Sequence, residues 1–195
     1  MPARPPAVGR VRKLRFAVIT GVDLLLATIL GGGIAAGELP MNVAISGQPF
    51  TATIARADAR SITLFPRSIG TAAGSRSSIA ILMQSVTLTD LCMSTVAHVP
   101  VVGDVTMFLR VPGTGTTADR IVADVSDLGG SIGVRDTHLG VDVSTVGEVK
   151  GVATAGIVAG GSVMTTARLT GLSFTAEQLS MRRFDLDVRR GSHTC

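Results

Sequence analysis

Residues 101–111, VVGDVTMFLRV, decide the fold. Val105, Met107, Leu109 and Val111 fall on every second position. A period of two places their side chains on one face of an extended strand, because successive residues of such a chain point to opposite sides. Pro100 breaks the chain just before this run, and Pro112–Thr117 (PGTGTT) forms a turn-rich loop just after it.

The same texture extends outward in both directions. Upstream, Asn42–Ile54 reads as strand, turn, strand, with Ser46-Gly47-Gln48-Pro49 as the turn. Ser61–Phe65 is a short strand stopped by Pro66, and Gly70–Ser78 is a small, polar loop. Ile79–Leu91 is extended, with Val86 and Leu88 in phase. Downstream, Ile121–Val125 and Ser131–Val143 continue the alternation. Ile132 and Val134 share one phase, and Leu139, Val141 and Val143 share one after the polar break at Asp136–Thr137. Residues 147–161 are rich in Gly and Ala and hold no period, whereas Ser162–Phe174 returns to strand. Phe184, Leu186 and Val188 alternate in a last strand, and Ala176–Met181 is read as one helical turn. Short β-branched runs punctuated by Gly, Pro and Thr predict an all-β domain. A β-sandwich or an open barrel is the first expectation. A short β-solenoid is the second, because the loosely similar units ADARSITLF, TADRIVADV and TARLTGLSF recur.

The N-terminal region has a different character. From Phe16 to Ala36 the only ionisable residue is Asp23, and such a run reaches the roughly 20 apolar residues needed to cross a bilayer. Arg10, Arg12, Lys13 and Arg15 precede it. Basic flanks stay on the cytoplasmic side, so everything downstream is expected outside. The predicted organisation is a basic cytoplasmic tail (1–15), a transmembrane helix or uncleaved signal anchor (16–38), and an extracytoplasmic β domain (39–195). The run is longer than the roughly 7–15 apolar residues of a cleaved signal peptide; cleavage after Ala36 or Gly37 would export the same domain. Asp23 reads as a polar residue tolerated toward the cytoplasmic interface or as a contact with a second membrane helix.

Charge distribution excludes a nucleic-acid binder. Lys and Arg number 18, five of them at or before Arg15, while Asp and Glu number 14, the first being Asp23; downstream of Asp23, 13 basic residues therefore face 13 acidic ones. Counterion displacement from nucleic acid needs a net basic face, which a neutral domain lacks. The basic tail is a topology signal and a contact for anionic headgroups.

Cys92 and Cys195 both fall on the expected exported side, where a pair of cysteines is usually a disulfide. Closing a loop of about 100 residues is worth at most about 4.7 kcal/mol in the chain-entropy picture. Two free thiols or an intermolecular bridge are the alternatives. The cysteines and His98, His138 and His193 are too widely spaced for a zinc site, and neither a metal nor a cofactor is expected.

One catalytic pattern occurs. Gly129-Gly130-Ser131-Ile132-Gly133 satisfies G-x-S-x-G, and Asp136, Asp142, His138 and His193 follow in hydrolase order. A nucleophile elbow requires a helix after the serine, whereas the residues that follow alternate like a strand. A turn leading into a strand is therefore the preferred reading, and Ser131, Asp136 and His193 are kept as the alternative catalytic set. Asp119, Asp124 and Asp127 lack the glycine and terminal glutamate of a calcium loop and read as solvated strand ends.

The segments LRFAVI, SGQPFTATIARADA, LCMSTVAHVPVVGDVTMFLRV, ADRIVADVSDL and LTGLSF, followed by Cys195, occur in an order that resembles an actinobacterial family of uncharacterised membrane-anchored proteins. That family is catalogued as a domain of unknown function, and some members carry the automatic label cholesterol esterase. The resemblance implies an exported, anchored domain and pairing of Cys92 with Cys195. It carries over no catalytic residue. The chain departs from the pattern in Asp23 and in a longer segment before Cys195.

The expected function is that of a membrane-anchored cell-envelope protein whose non-enzymatic β domain binds a lipid or a neighbouring membrane protein. An esterase using Ser131 and a structural subunit of a membrane complex are the alternatives.

Overall fold

A computed structural model describes residues 41–71, 74–144 and 155–195. The predicted span, Asp23 and the basic residues Arg10, Arg12, Lys13 and Arg15 lie outside the described residues, as does most of the Gly- and Ala-rich stretch before Ala155. Among the described residues no helix is long and apolar enough to cross a membrane.

The domain is all-β, with six strands in a single antiparallel sheet: β1 (Met41–Thr71), β2 (Gly74–Val99), β3 (Gly103–Val111), β4 (Thr116–Asp142), β5 (Ala155–Met181) and β6 (Asp185–Arg190). Their order is β1-β5-β4-β2-β3-β6, and β1 also pairs with β2. The strands β1, β5, β4 and β2 therefore close a cycle of hydrogen-bonded neighbours. The small strands β3 and β6 extend outward from β2. The expected sandwich would need two packed sheets, whereas here one sheet curls over its own core. The three similar units lie in β1, β4 and β5, and the β4 and β5 copies pair antiparallel through Ala123↔Phe174. They do not stack as the coils of a solenoid.

The main departure from the sequence reading is strand length. β1 runs unbroken through the expected turn at Ser46–Pro49, which is instead a register shift against β5. It also continues through Pro66. Proline lacks a backbone N–H and is tolerated where a strand has an open edge; beyond Leu64, β1 pairs with β2 alone. The expected loop at 70–78 narrows to a connection between Thr71 and Gly74, the two strands read at 121–125 and 131–143 are one β4, and the expected helical turn at 176–181 is the end of β5.

Bulges explain why the long strands look short in sequence. Buried side chains of β2 that face the core are Ile81 and Met83, then Val86 and Leu88, then Leu91. Their parity changes at Ser85 and at Asp90, both of which adopt positive φ. Each inserts one residue and resets the alternation. The partner strand does the same, because the β1–β2 register omits Ala55 opposite Asp90 and Arg60 opposite Ser85 yet stays otherwise constant. Thr166 and Gln178 repeat the device in β5. Bulges bend strands and increase their twist, which is what a curled sheet requires.

The enclosed face carries the core: Ile54, Ile62, Ile81, Val86, Ile121, Val125 and their neighbours are almost fully buried. At its upper end the Phe50 ring lies across Gly171, its cross-strand partner, and meets Phe174 edge to face with centroids 6.4 Å apart. A Cβ on Gly171 would land inside the Phe50 ring. Gly171→Ala is accordingly expected to lower stability by about 1–3 kcal/mol through overpacking. Denaturant unfolding would show this as a reduced midpoint at unchanged slope, and relief in the Phe50→Leu background would identify the ring as the cause.

Candidate functional site

The same curled face leaves a void. A cavity of about 90 Å³ lies between the four ring strands, with an apolar wall. Native interiors hold few voids larger than a water molecule, so one of this size inside a small domain is a feature rather than background. Its wall offers water no hydrogen-bonding partners, and such cavities stay dry. At about 24 cal/mol per Å³, leaving 90 Å³ empty forgoes about 2 kcal/mol.

The wall is unusually deformable. Met83, Met93, Met164 and Met181 line it, four of the seven methionines in the chain. Unbranched thioether side chains re-pack around irregular shapes more readily than branched aliphatics. Phe50 and Phe174 close the upper part. Thr116 is the one hydroxyl-bearing residue among the lining side chains, and its Oγ1 is buried and contributes nothing polar to the wall.

The inner face does not stop at the cavity. Directly paired residues of antiparallel strands share a face, so Met93, Leu109 and Leu186 continue it across β2, β3 and β6, followed by Thr95, Met107 and Val188. Met93 and Leu109 line the cavity, whereas Met107, Leu186 and Val188 are 47, 57 and 63 % exposed. An apolar strip thus leads from the cavity into solvent.

The opposite face of the same strands is covered. The C-terminal segment folds back across it, with Thr106 Oγ1 donating to the Gly191 carbonyl at 2.6 Å and accepting from the His193 amide at 3.0 Å. The Cys92–Cys195 disulfide, with an S–S length of 2.02 Å, fixes this segment. Arg110 and Arg189 pack over the Phe108 ring there. Arg189 also donates to Asp187 at 2.6 Å and holds that carboxyl below the usual carboxylate range.

Ser131 is an exposed residue inside β4, paired with Thr165. Strand continues on both sides of it, and no helix follows. Asp136 sits five residues further along β4 at positive φ. His193 belongs to the C-terminal segment, where its Nε2 contacts the Arg190 carbonyl at 2.9 Å. Among the described residues no hydrogen bond joins Ser131, Asp136 and His193. His138 is exposed on β4, and Asp142 accepts the Ser144 amide at 2.9 Å. No cluster of three potential metal ligands occurs among the described residues.

One buried polar cluster escaped the sequence reading. Asp124 is fully buried, bonded to Arg67 of β1 at 2.5 Å and to the Ser173 hydroxyl of β5. It ties three strands together on the side opposite the cavity. Asp124→Ala would leave the half-buried Arg67 without its counter-charge and the Ser173 hydroxyl without its acceptor, at an expected cost of about 1–3 kcal/mol; thermal unfolding measures it. Replacing both Cys92 and Cys195 by Ser should cost about 2–5 kcal/mol in the same assay and speed amide exchange at Thr106 and His193.

No curated protein and no solved structure matches the chain. The match to a known family covers residues 46–195, from the register shift within β1 through the disulfide-bonded Cys195. By that match the chain belongs to the family of unknown function DUF6230.

Proposed function

We propose that this domain is the extracytoplasmic part of a membrane-anchored envelope protein and holds the hydrocarbon portion of a lipid in its methionine-lined cavity. The observation that carries the reading is the coincidence of an apolar cavity of about 90 Å³ with an exposed apolar strip on the same sheet face. A void alone is a packing cost; a void continuous with an exposed apolar path has a use. The volume suits a short stretch of acyl chain, and the methionines give the wall room to adapt to more.

The reading also accounts for what the domain lacks. Its charges balance downstream of Asp23, and binding a hydrocarbon chain needs no charged site. The predicted span at 16–38 would hold the domain where lipid is plentiful.

Mass spectrometry of lipids that co-purify with the full chain tests the proposal, with Ala123→Met as the comparison. Ala123 lines the cavity, and a methionine there fills it. A uniform lipid at about one per protein should be recovered from the wild type and lost from the variant, whose melting temperature stays equal or rises. Equal recovery from both, or nothing above the background of an unrelated membrane protein, would refute the reading.

A further inference from the structure

The β2–β3 connection pairs strain with exposed apolar surface. Val99, Pro100, Val101 and Val102 form its tip. Val101 is fully exposed and adopts φ +74°, a left-handed conformation that β-branched residues avoid. Val99 and Val102 are also exposed. The turn is held by a Val102 amide to Val99 carbonyl bond of 3.2 Å, with His98 and Asp104 paired at 2.9 Å across its base. Glycine would relieve the strain and a polar residue would suit water, yet the turn carries three valines. Strain that persists at an exposed site points to a function for the residue that bears it.

The position of the tip supplies the partner. β1 and β2 are antiparallel with Phe50 opposite Thr95, so the start of β1 lies at the end of the sheet where the β2–β3 tip projects. The predicted span ends at residue 38, and strand pairing begins at Met41. Two intervening residues reach about 7 Å. The end of the sheet that bears the tip is therefore tethered against the bilayer surface. At that end Arg190, opposite Val105, shares the face of Met107 and Val188. Arg190 is exposed, and among the described residues its side chain has no carboxylate partner. A cation flanking exposed aliphatic residues matches the anionic headgroup layer over hydrocarbon.

We infer that the β2–β3 tip, Val99–Val102, enters the outer surface of the anchoring bilayer, with Arg190 at the headgroups and the strip Met107–Val188–Leu186 leading from the lipid to the cavity. The inference rests on residues 16–38 being the anchor and deepens the lipid-binding reading by assigning the surface through which an acyl chain passes.

The chain contains no Trp, so one introduced tryptophan reports alone. Val101→Trp and, at an unstrained neighbour, Val102→Trp would be made in the full chain and reconstituted into vesicles of phosphatidylglycerol and phosphatidylethanolamine with brominated acyl chains. Leu139→Trp, exposed on β4 and level with the far part of β1 through Ile157, is the control. The expected result is blue-shifted emission with loss of most intensity at both tip positions and neither change at residue 139. Unshifted emission at the tip, or equal quenching at all three positions, overturns the inference. Blue-shifted emission without bromolipid quenching also overturns it, and shows that protein covers the tip. Repeating the measurement in the Ala123→Met background separates the two readings: tip quenching persists there even if the cavity holds no lipid.

Discussion

The structure depends on strands that bend together. β1 and β2 each carry an extra residue at the same two levels, Ala55 opposite Asp90 and Arg60 opposite Ser85, so the ladder kinks without losing register. A flat ladder of more than twenty residues would leave one broad apolar face in water. With the shared kinks the sheet curls until β4 and β5 complete the circuit, and the face becomes an interior. The cavity follows from the same geometry. Four strands curling around one axis leave a space whose filling is set by side-chain size, and methionine and alanine occupy positions where bulkier side chains would close it.

This constraint also marks how far the sequence could be read. Alternation within a stretch between bulges is plain, as at Val105–Val111, so the all-β class was legible. Alternation across a bulge is scrambled. Met83 and Val86 face the same core but differ in parity, and a reading that requires constant phase divides one strand into two. Positive φ falls on Ser85, Asp90, Thr166 and Gln178 as well as on glycines, so glycine alone does not flag the bulges. The pairing of Cys92 with Cys195 was legible from the count of two cysteines and their expected export, and the structure contains that bond. The cavity was not legible, because its lining comes from five strands and four scattered methionines that no local pattern connects. Asp124 looked like a solvated strand end among neighbouring aspartates; only the approach of Arg67 and Ser173 from other strands shows it to be buried.

The two faces of β3 show how one short strand can serve opposite needs. Thr106 and Phe108 are buried beneath the disulfide-held C-terminal segment. Met107, between them, points the other way and stays exposed. With one face covered firmly, Met107 and its neighbour Val188 on the other stay exposed, while Leu109 and Val111 further along that face join the core. The disulfide thus acts on a surface it does not touch.

The closed pairing cycle has a kinetic consequence. Phe50 of β1 finds Thr95 within one hairpin but must also find Gly171 of β5, more than a hundred residues further along. Contacts between such distant segments impose a large loop-closure entropy before they return any stabilisation, which makes folding slow. During that interval the second edge of β1 remains open and able to pair with the wrong strand. An emerging chain of this design spends its most vulnerable period between completing the β1–β2 hairpin and delivering β5, and mutations that speed β5 docking would shorten it.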